Sequence, residues 1–395
     1  MKHSQRQWRS LAGAVAAVSI AGAALLPTLA HGADRVKVGL LLPYTGTYAA
    51  IGNAITNGFK QHVAEHDGKL GGREVEYFFA DDKSDPATAT ENASKLIKRD
   101  RVDVLVGTVH SGAALAMAKV ARDTNTLLII PTAGNDELTG SLCAPTVFRT
   151  SMSTWQPAYA MGKLAAERGH KNVVTVSWKY SFGDQSAAGF KEAFEQAGGK
   201  VAKELFVPFP SVDFRHLLDD IPNLKPDAVF ASFVGSGAAK FVKDYDAAGL
   251  KAKIPLYGTG YLTEGTLDAM NGAGEGVLTT LHYADGLTNE KDKSFRTAYT
   301  AAYDLKPDVY AVHGYDAAQL LGAGLEAVRG GKLDQAAMIA AMEAAKIDSP
   351  RGAFTMSKAH NPVQDVYLRE VEGRENKLVG VAQKGLADPA RGCSM

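Results

Sequence analysis

Short β-type runs alternate with amphipathic helical stretches along most of this chain. Residues 36–42 are almost wholly apolar and end at Pro43. Beyond them Ile51, Ile55, Phe59 and Val63 fall at four-residue spacing, which predicts a helix within 48–66, stopped by Gly68, Gly71 and Gly72. Strands are predicted at 74–80, 102–106 and 126–130, with helices at 86–99 and 111–122. The same beat returns with strands at 173–177, 201–207, 228–233 and 254–257, and helices at 184–197, 213–220 and 238–248. Strands separated by helices predict an α/β fold, with parallel sheets covered on both faces. Two such runs, near 36–150 and 172–282, predict two lobes, and 395 residues suffice for two cores. Helices at 290–303, 310–329 and 333–345 follow, then strand-like pieces at 352–356, 363–371 and 377–382.

The N-terminus reads as a leader. Lys2, Arg6 and Arg9 precede an uncharged, mostly apolar or small-residue run at 11–30, broken by Pro27, with Ala30, Gly32 and Ala33 as small exit residues. This predicts a cleavable signal peptide over 1–33 and a periplasmic location. An uncleaved anchor is the competing reading, disfavoured by the Ala/Gly-rich run and Pro27. No Arg pair marks twin-arginine export, and no Cys near the exit would take a lipid. The leader carries three of the 43 basic residues and none of the 43 acidic ones, so the remaining chain is slightly acidic. That balance argues against nucleic acid as a partner. Two cysteines cannot make a four-cysteine zinc site or a disulfide-dense scaffold.

Open α/β sheets place ligands beyond the carboxyl ends of their strands. Here those loops are short and rich in small or polar residues. Gly107-Thr108-Val109-His110-Ser111-Gly112 follows one strand and Pro131-Thr132-Ala133-Gly134-Asn135 the next. Ser111 falls at a helix start, where a hydroxyl and free backbone N–H groups can hold a carboxylate. A plain helix cap gives the same signal.

The motifs together resemble the type I periplasmic binding proteins of branched-chain amino-acid ABC importers, over nearly the whole chain after the leader. They include Gly39-Leu40-Leu41-Leu42-Pro43-Tyr44-Thr45-Gly46, Leu70-Gly71-Gly72-Arg73 and Asp81-Asp82-Lys83-Ser84-Asp85-Pro86. Phe148-Arg149-Thr150, Tyr180-Ser181-Phe182-Gly183, Lys225-Pro226-Asp227-Ala228-Val229 and Gly314-Tyr315-Asp316-Ala317 follow in order. The resemblance implies a hinge crossed three times, with 34–152 plus 284–357 as lobe 1 and 153–283 plus 358–395 as lobe 2. It implies capture of a small carboxylate between the lobes and delivery to separate permease and ATPase subunits, by a monomer without cofactor or metal.

Site residues carry over only in part. The resemblance puts the ligand carboxylate at Ser111, beside His110, and the head group at Thr132, Ala133 and Gly134. The family tends to carry a hydroxyl where this chain has Gly134. The family's ammonium-neutralising acid falls near Gly260, where no acid stands, although Glu264 is close enough for a shifted alignment to restore it. A buried ammonium needs such a partner. Tyr44, Phe182, Phe233, Tyr261 and Tyr310 are therefore read as walls of a flat apolar pocket, and the subgroup that takes aromatic carboxylates is the nearest resemblance. Ordinary lobe packing is the alternative for each ring. Cys143 and Cys393 are expected to form a disulfide, since export favours pairing and the layout brings the chain's end near the first crossing.

Other chemistry is weaker. His62-Val63-Ala64-Glu65-His66 matches a zinc-protease pattern, but it sits in the first helix without a third ligand. The glycines at 235–237 and 272–276 complete no nucleotide-binding fingerprint. A periplasmic sensory module for the same ligands is the competing function, and no enzyme activity is expected.

Overall fold

The structure is a computed structural model and describes residues 35–395. The leader read at 1–33 lies outside them. The first sheet contains β1 (Arg35–Leu42), β2 (Lys69–Leu70), β3 (Arg73–Asp81), β4 (Val104–Val106), β5 (Leu127–Ile130) and β6 (Val147–Arg149), in the order β2-β3-β1-β4-β5-β6. Every pairing is parallel except β2 with β3. Helices α1 (Ala49–Ala64), α2 (Pro86–Lys98) and α3 (Ser111–Thr124) connect its strands. β1 is buried on both faces from Val38 onward, apart from partial exposure nearer its start, as a central parallel strand must be.

The chain then passes through α4 (Trp155–Glu167) into the second sheet. This contains β7 (Asn172–Lys179), β8 (Lys200–Pro208), β9 (Ala228–Ser232), β10 (Leu256–Thr259) and β11 (Leu278–Leu281), in the parallel order β8-β7-β9-β10-β11. Between them run α5 (Ser181–Gln196), α6 (Arg215–Asp220), α7 (Gly235–Ala247) and the short α8 (Leu267–Met270). The chain returns to pack α9 (Glu290–Tyr303), α10 (Val309–Ala327) and α11 (Gln335–Ala344) with the first lobe. β12 (Lys346–Ile347), β13 (Phe354–Met356), β14 (Pro362–Glu372) and β15 (Glu375–Leu386) finish it. β14 joins β11 antiparallel and carries β15 on its far length and β13 near its start. The two-lobed α/β expectation thus holds, and β12 and β13 extend the second sheet through β14.

Local chemistry accounts for the elements. On α1 the residues Ile51, Ile55, Phe59 and Val63 are all buried, the stripe that the four-residue spacing predicts. Asp85 caps α2 by accepting from the Thr88 N–H at 2.7 Å, with Pro86 at the first helical position. α10 is buried for most of its 19 residues and crosses α1 closely. A Cβ on Gly58 would stand 1.8 Å from the Ala311 carbonyl oxygen, and one on Gly314 would stand 1.9 Å from that of Ile55. Only glycine permits that crossing.

In each sheet the strand order reverses once, between β1 and β4 and between β7 and β9. Such reversal points open a crevice at the carboxyl ends of the strands. Among the described residues, no helix is long and apolar enough to cross a membrane.

Candidate functional site between the lobes

Residues that follow strands of both sheets meet in one pocket. From the first lobe come Tyr48 after β1, Val109 and Ser111 after β4, and Thr132 and Gly134 after β5. From the second come Tyr180 and Phe182 after β7, Val234 after β9 and Tyr261 after β10, while α10, packed with the first lobe, adds Tyr310 at its start. They close on one another and leave a cavity of only about 20 Å³. Among the described residues, no charged side chain is part of this wall.

Ser111 opens α3, and the residue before it is the cap. His110 Nδ1 accepts from the Ala113 N–H at 3.3 Å, so the plain-cap role belongs to His110. That leaves the Ser111 hydroxyl and the first N–H groups of a 14-residue helix at the pocket. The His110 ring stacks on Tyr180 of the other lobe, centroids 4.8 Å apart and planes 6° from parallel. Burial lowers its pKa to about 4, against the opposing pull of Asp85, so the ring is neutral at neutral pH.

The aromatic residues divide into two groups. The Tyr48 and Tyr180 hydroxyls lie 2.9 Å apart and join the lobes across the cleft. Phe209 packs against both of these rings and His110, closing one edge. Opposite, Tyr261 and Tyr310 stack with centroids 5.9 Å apart and planes 15° from parallel, and Phe182 leans on Tyr261. The hydroxyls of Tyr261 and Tyr310 are buried without a hydrogen-bond partner. Burial raises the pKa of both phenols, so they stay protonated and can donate.

Six of the ten expected positions therefore line the pocket: Ser111, Thr132, Gly134, Phe182, Tyr261 and Tyr310. Four do not. Tyr44 turns away, its hydroxyl 2.9 Å from that of Thr56 and its ring edge-on to Phe79. His110 acts as cap and stacking partner. Ala133 is buried behind the wall. Phe233 belongs to the second lobe's core, among Trp178, Phe214 and Phe241. Tyr48, Val109, Tyr180 and Val234 line the pocket although the sequence reading passed over them. Tyr180 and Val234 each lie just beyond a strand end, the signal that could have found them.

Both departures from the family pattern have a steric cause. A Cβ at Gly134 would come within 2.7 Å of Thr154 Oγ1. A Cβ at Gly260 would come within 2.4 Å of Leu281 Cβ and 2.7 Å of Arg369 Nη2, so no acid fits there. Glu264 does not replace it, since its carboxylate accepts from Arg369 Nη1 at 2.6 Å and from the Val309 N–H at 2.8 Å. Elsewhere, His66 of the zinc-like pattern lies 2.8 Å, through Nδ1, from the His62 carbonyl oxygen. Cys143 and Cys393 are bonded, with Cα atoms 5.5 Å apart.

Two α/β lobes enclosing a pocket at their facing strand ends define a ligand-capturing protein that grips from both sides. Residues 35–376 match the family model described as periplasmic binding protein, and the chain belongs to that family. It is similar to a solute-binding protein of an ABC transporter from R. palustris in complex with benzoate, at 48% identity and a TM-score of 0.89, over 91% of this chain and 100% of that one. A second solute-binding protein, from Rhodopseudomonas palustris BisB5 in complex with 3,4-dihydroxybenzoic acid, is 32% identical with a TM-score of 0.85, over 90% of this chain and 99% of the other. The Leu/Ile/Val-binding protein homolog 6 of Brucella abortus (strain 2308) is 31% identical over 347 residues, 86% of this chain and 88% of its own length.

Proposed function

We propose that this protein is the solute-binding component of an ABC importer and that it captures a small aromatic carboxylate, with hydrophobic amino acids the next class. The observation that carries the ligand class is a pocket walled by Tyr48, Tyr180, Phe182, Tyr261 and Tyr310 without any carboxylate. An α-amino acid would bury an ammonium there unpaired, at a cost that neutral hydroxyls offset poorly. An aromatic acid needs only a carboxylate site and flat apolar faces. The start of α3 and the Ser111 hydroxyl supply the first, helped by the helix dipole. The tyrosine and phenylalanine rings supply the second.

Two lobes around one site suit capture by closure, in which ligand binds the closed arrangement better than the open one. In this reading the leader sends the chain to the periplasm. There it works as a monomer and hands its ligand to permease subunits powered by an ATPase, without chemistry of its own. A thermal-shift panel tests the ligand class. Benzoate- and cinnamate-type acids are expected to raise the melting temperature, and leucine, isoleucine, valine and phenylalanine are not. Stabilisation by the amino acids alone would reverse the assignment.

A further inference from the structure

A buried file of four side chains runs from the pocket wall to two segments that link the lobes. Thr132 Oγ1 lies 3.0 Å from His313 Nδ1, His313 Nε2 lies 2.7 Å from His282 Nε2, and His282 Nδ1 lies 3.1 Å from Met152 Sδ. His313 is on α10, His282 just past β11 and Met152 just past β6, and none of the three is more than 1% exposed. Only Thr132 of the four faces the pocket.

Both rings are neutral. Burial disfavours a charge on either, the Arg351 guanidinium adds to this at both, and Arg369 adds to it at His282. Two neutral rings leave two ways to place the hydrogens. One hydrogen must sit between the two Nε2 atoms, because two lone pairs or two N–H groups repel at that distance. If His282 supplies it, His282 Nδ1 is bare and meets the thioether sulfur, which has no hydrogen to give. If His313 supplies it, His282 Nδ1–H donates to Met152 Sδ and each contact has one donor and one acceptor. The sulfur therefore selects the second arrangement. His313 Nδ1 is then bare, the Thr132 hydroxyl donates to it, and Thr132 shows the pocket only its oxygen lone pairs.

We infer that His313 and His282 are positioning residues for specificity, holding Thr132 as a hydrogen-bond acceptor toward the ligand, so that the pocket favours a hydroxybenzoate over benzoate. The inference rests on the aromatic-acid reading of the pocket. A ring hydroxyl donates its hydrogen to Thr132 Oγ1, whereas benzoate offers only C–H groups there. A carboxylate turned toward Thr132 would meet lone pairs, which keeps the carboxylate at Ser111 and sets the ligand's direction in the cleft.

Calorimetry with benzoate and the three monohydroxybenzoates, on the wild type, Thr132→Val and Thr132→Ser, tests this. One hydroxybenzoate is expected to bind at least about tenfold tighter than benzoate. Thr132→Val removes that ratio by weakening the hydroxybenzoate more than benzoate, and Thr132→Ser keeps it. Nitrogen-15 NMR of the imidazoles gives an independent reading: in the complex His313 carries its hydrogen on Nε2 and has a bare Nδ1. Equal affinities in the wild type, an unchanged ratio in Thr132→Val, or a protonated His313 Nδ1 overturns the inference and leaves the aromatic-acid reading standing. Failure of all four acids to bind overturns that reading instead, and the imidazole spectrum of the ligand-free protein still decides the histidine arrangement.

Discussion

Glu264 and Arg369 form an ion pair at 2.6 Å that is closed off from solvent. Arg369 also reaches the Gly260 carbonyl oxygen at 2.8 Å, so the pair fastens the loop after β10 to β14. Glu264, the acid nearest in sequence to Gly260, is thereby committed to structure. Its carboxylate is unavailable to neutralise a ligand ammonium, which is why the ligand class turns on this contact.

Glu264→Gln should accordingly act on stability. Removing one partner of a buried pair leaves the other charge uncompensated and costs about 3–5 kcal/mol. Chemical denaturation should show that loss as a lower midpoint. A variant as stable as the wild type would mean that the pair carries no such burden and that Glu264 is kept for another purpose.

Ser111→Ala should weaken the binding of an aromatic acid without unfolding the protein. It deletes one hydrogen bond to a charged group, worth roughly 1.5–3 kcal/mol in a water-excluded site. Titration calorimetry with a confirmed ligand reads this directly, and unchanged affinity would move the carboxylate elsewhere.

The buried carboxyl of Asp82 gives the fold a pH dependence. Desolvation raises its pKa to about 6, although Thr108 and the Ser84 N–H donate to it and Asp81 and Asp85 add repulsion. A carboxyl whose folded pKa lies above its unfolded value near 3.8 binds its proton more tightly when folded. Its contribution to stability is thus present at low pH and falls away as pH rises from about 4 through 6. Asp82→Asn, which cannot ionise, should gain about 2 kcal/mol relative to the wild type between pH 4 and pH 8. Denaturation midpoints at the two pH values would show it, and a constant gap would exclude it.

The Cys143–Cys393 bond closes a sequence separation of 250 residues. Cys143 precedes β6 of the first sheet and Cys393 follows β15 of the second, so the bond ties the chain's end across the lobes. Arg391 holds the same tail to α5 through Glu192 at 2.7 Å. Replacing both cysteines by serine should lower stability by about 2–4 kcal/mol, since long loops gain most from closure. A variant that melts with the wild type would leave the bond without a stabilising role.

Much of this architecture was legible because it rests on local periodicity. The α1 stripe at Ile51, Ile55, Phe59 and Val63 and the proline after β1 need no tertiary knowledge. β6 and β11 escaped separate notice, because Val147-Phe148-Arg149 and Leu278-Thr279-Thr280-Leu281 lack the unbroken apolar run that marks the equally short β4 and β5. The site was legible where it depends on strand ends, as at Ser111 and Thr132. It was not legible where a side chain has two partners to choose from. Phe233 is as aromatic as Phe182, yet only three-dimensional packing shows that it turns toward Trp178. Whether Glu264 served a ligand or Arg369 was equally hidden, because the two residues are 105 positions apart in the chain.

The central claim is that this cleft binds an aromatic carboxylate and has no place for an ammonium. Isothermal titration of protein freed of bound ligand by unfolding and refolding, with benzoate or hydroxybenzoates in one series and leucine in the other, tests it most directly. The account predicts saturable binding of an aromatic acid at one site per chain and no heat above dilution for leucine. Saturable binding of leucine with no response to the aromatic acids would contradict it.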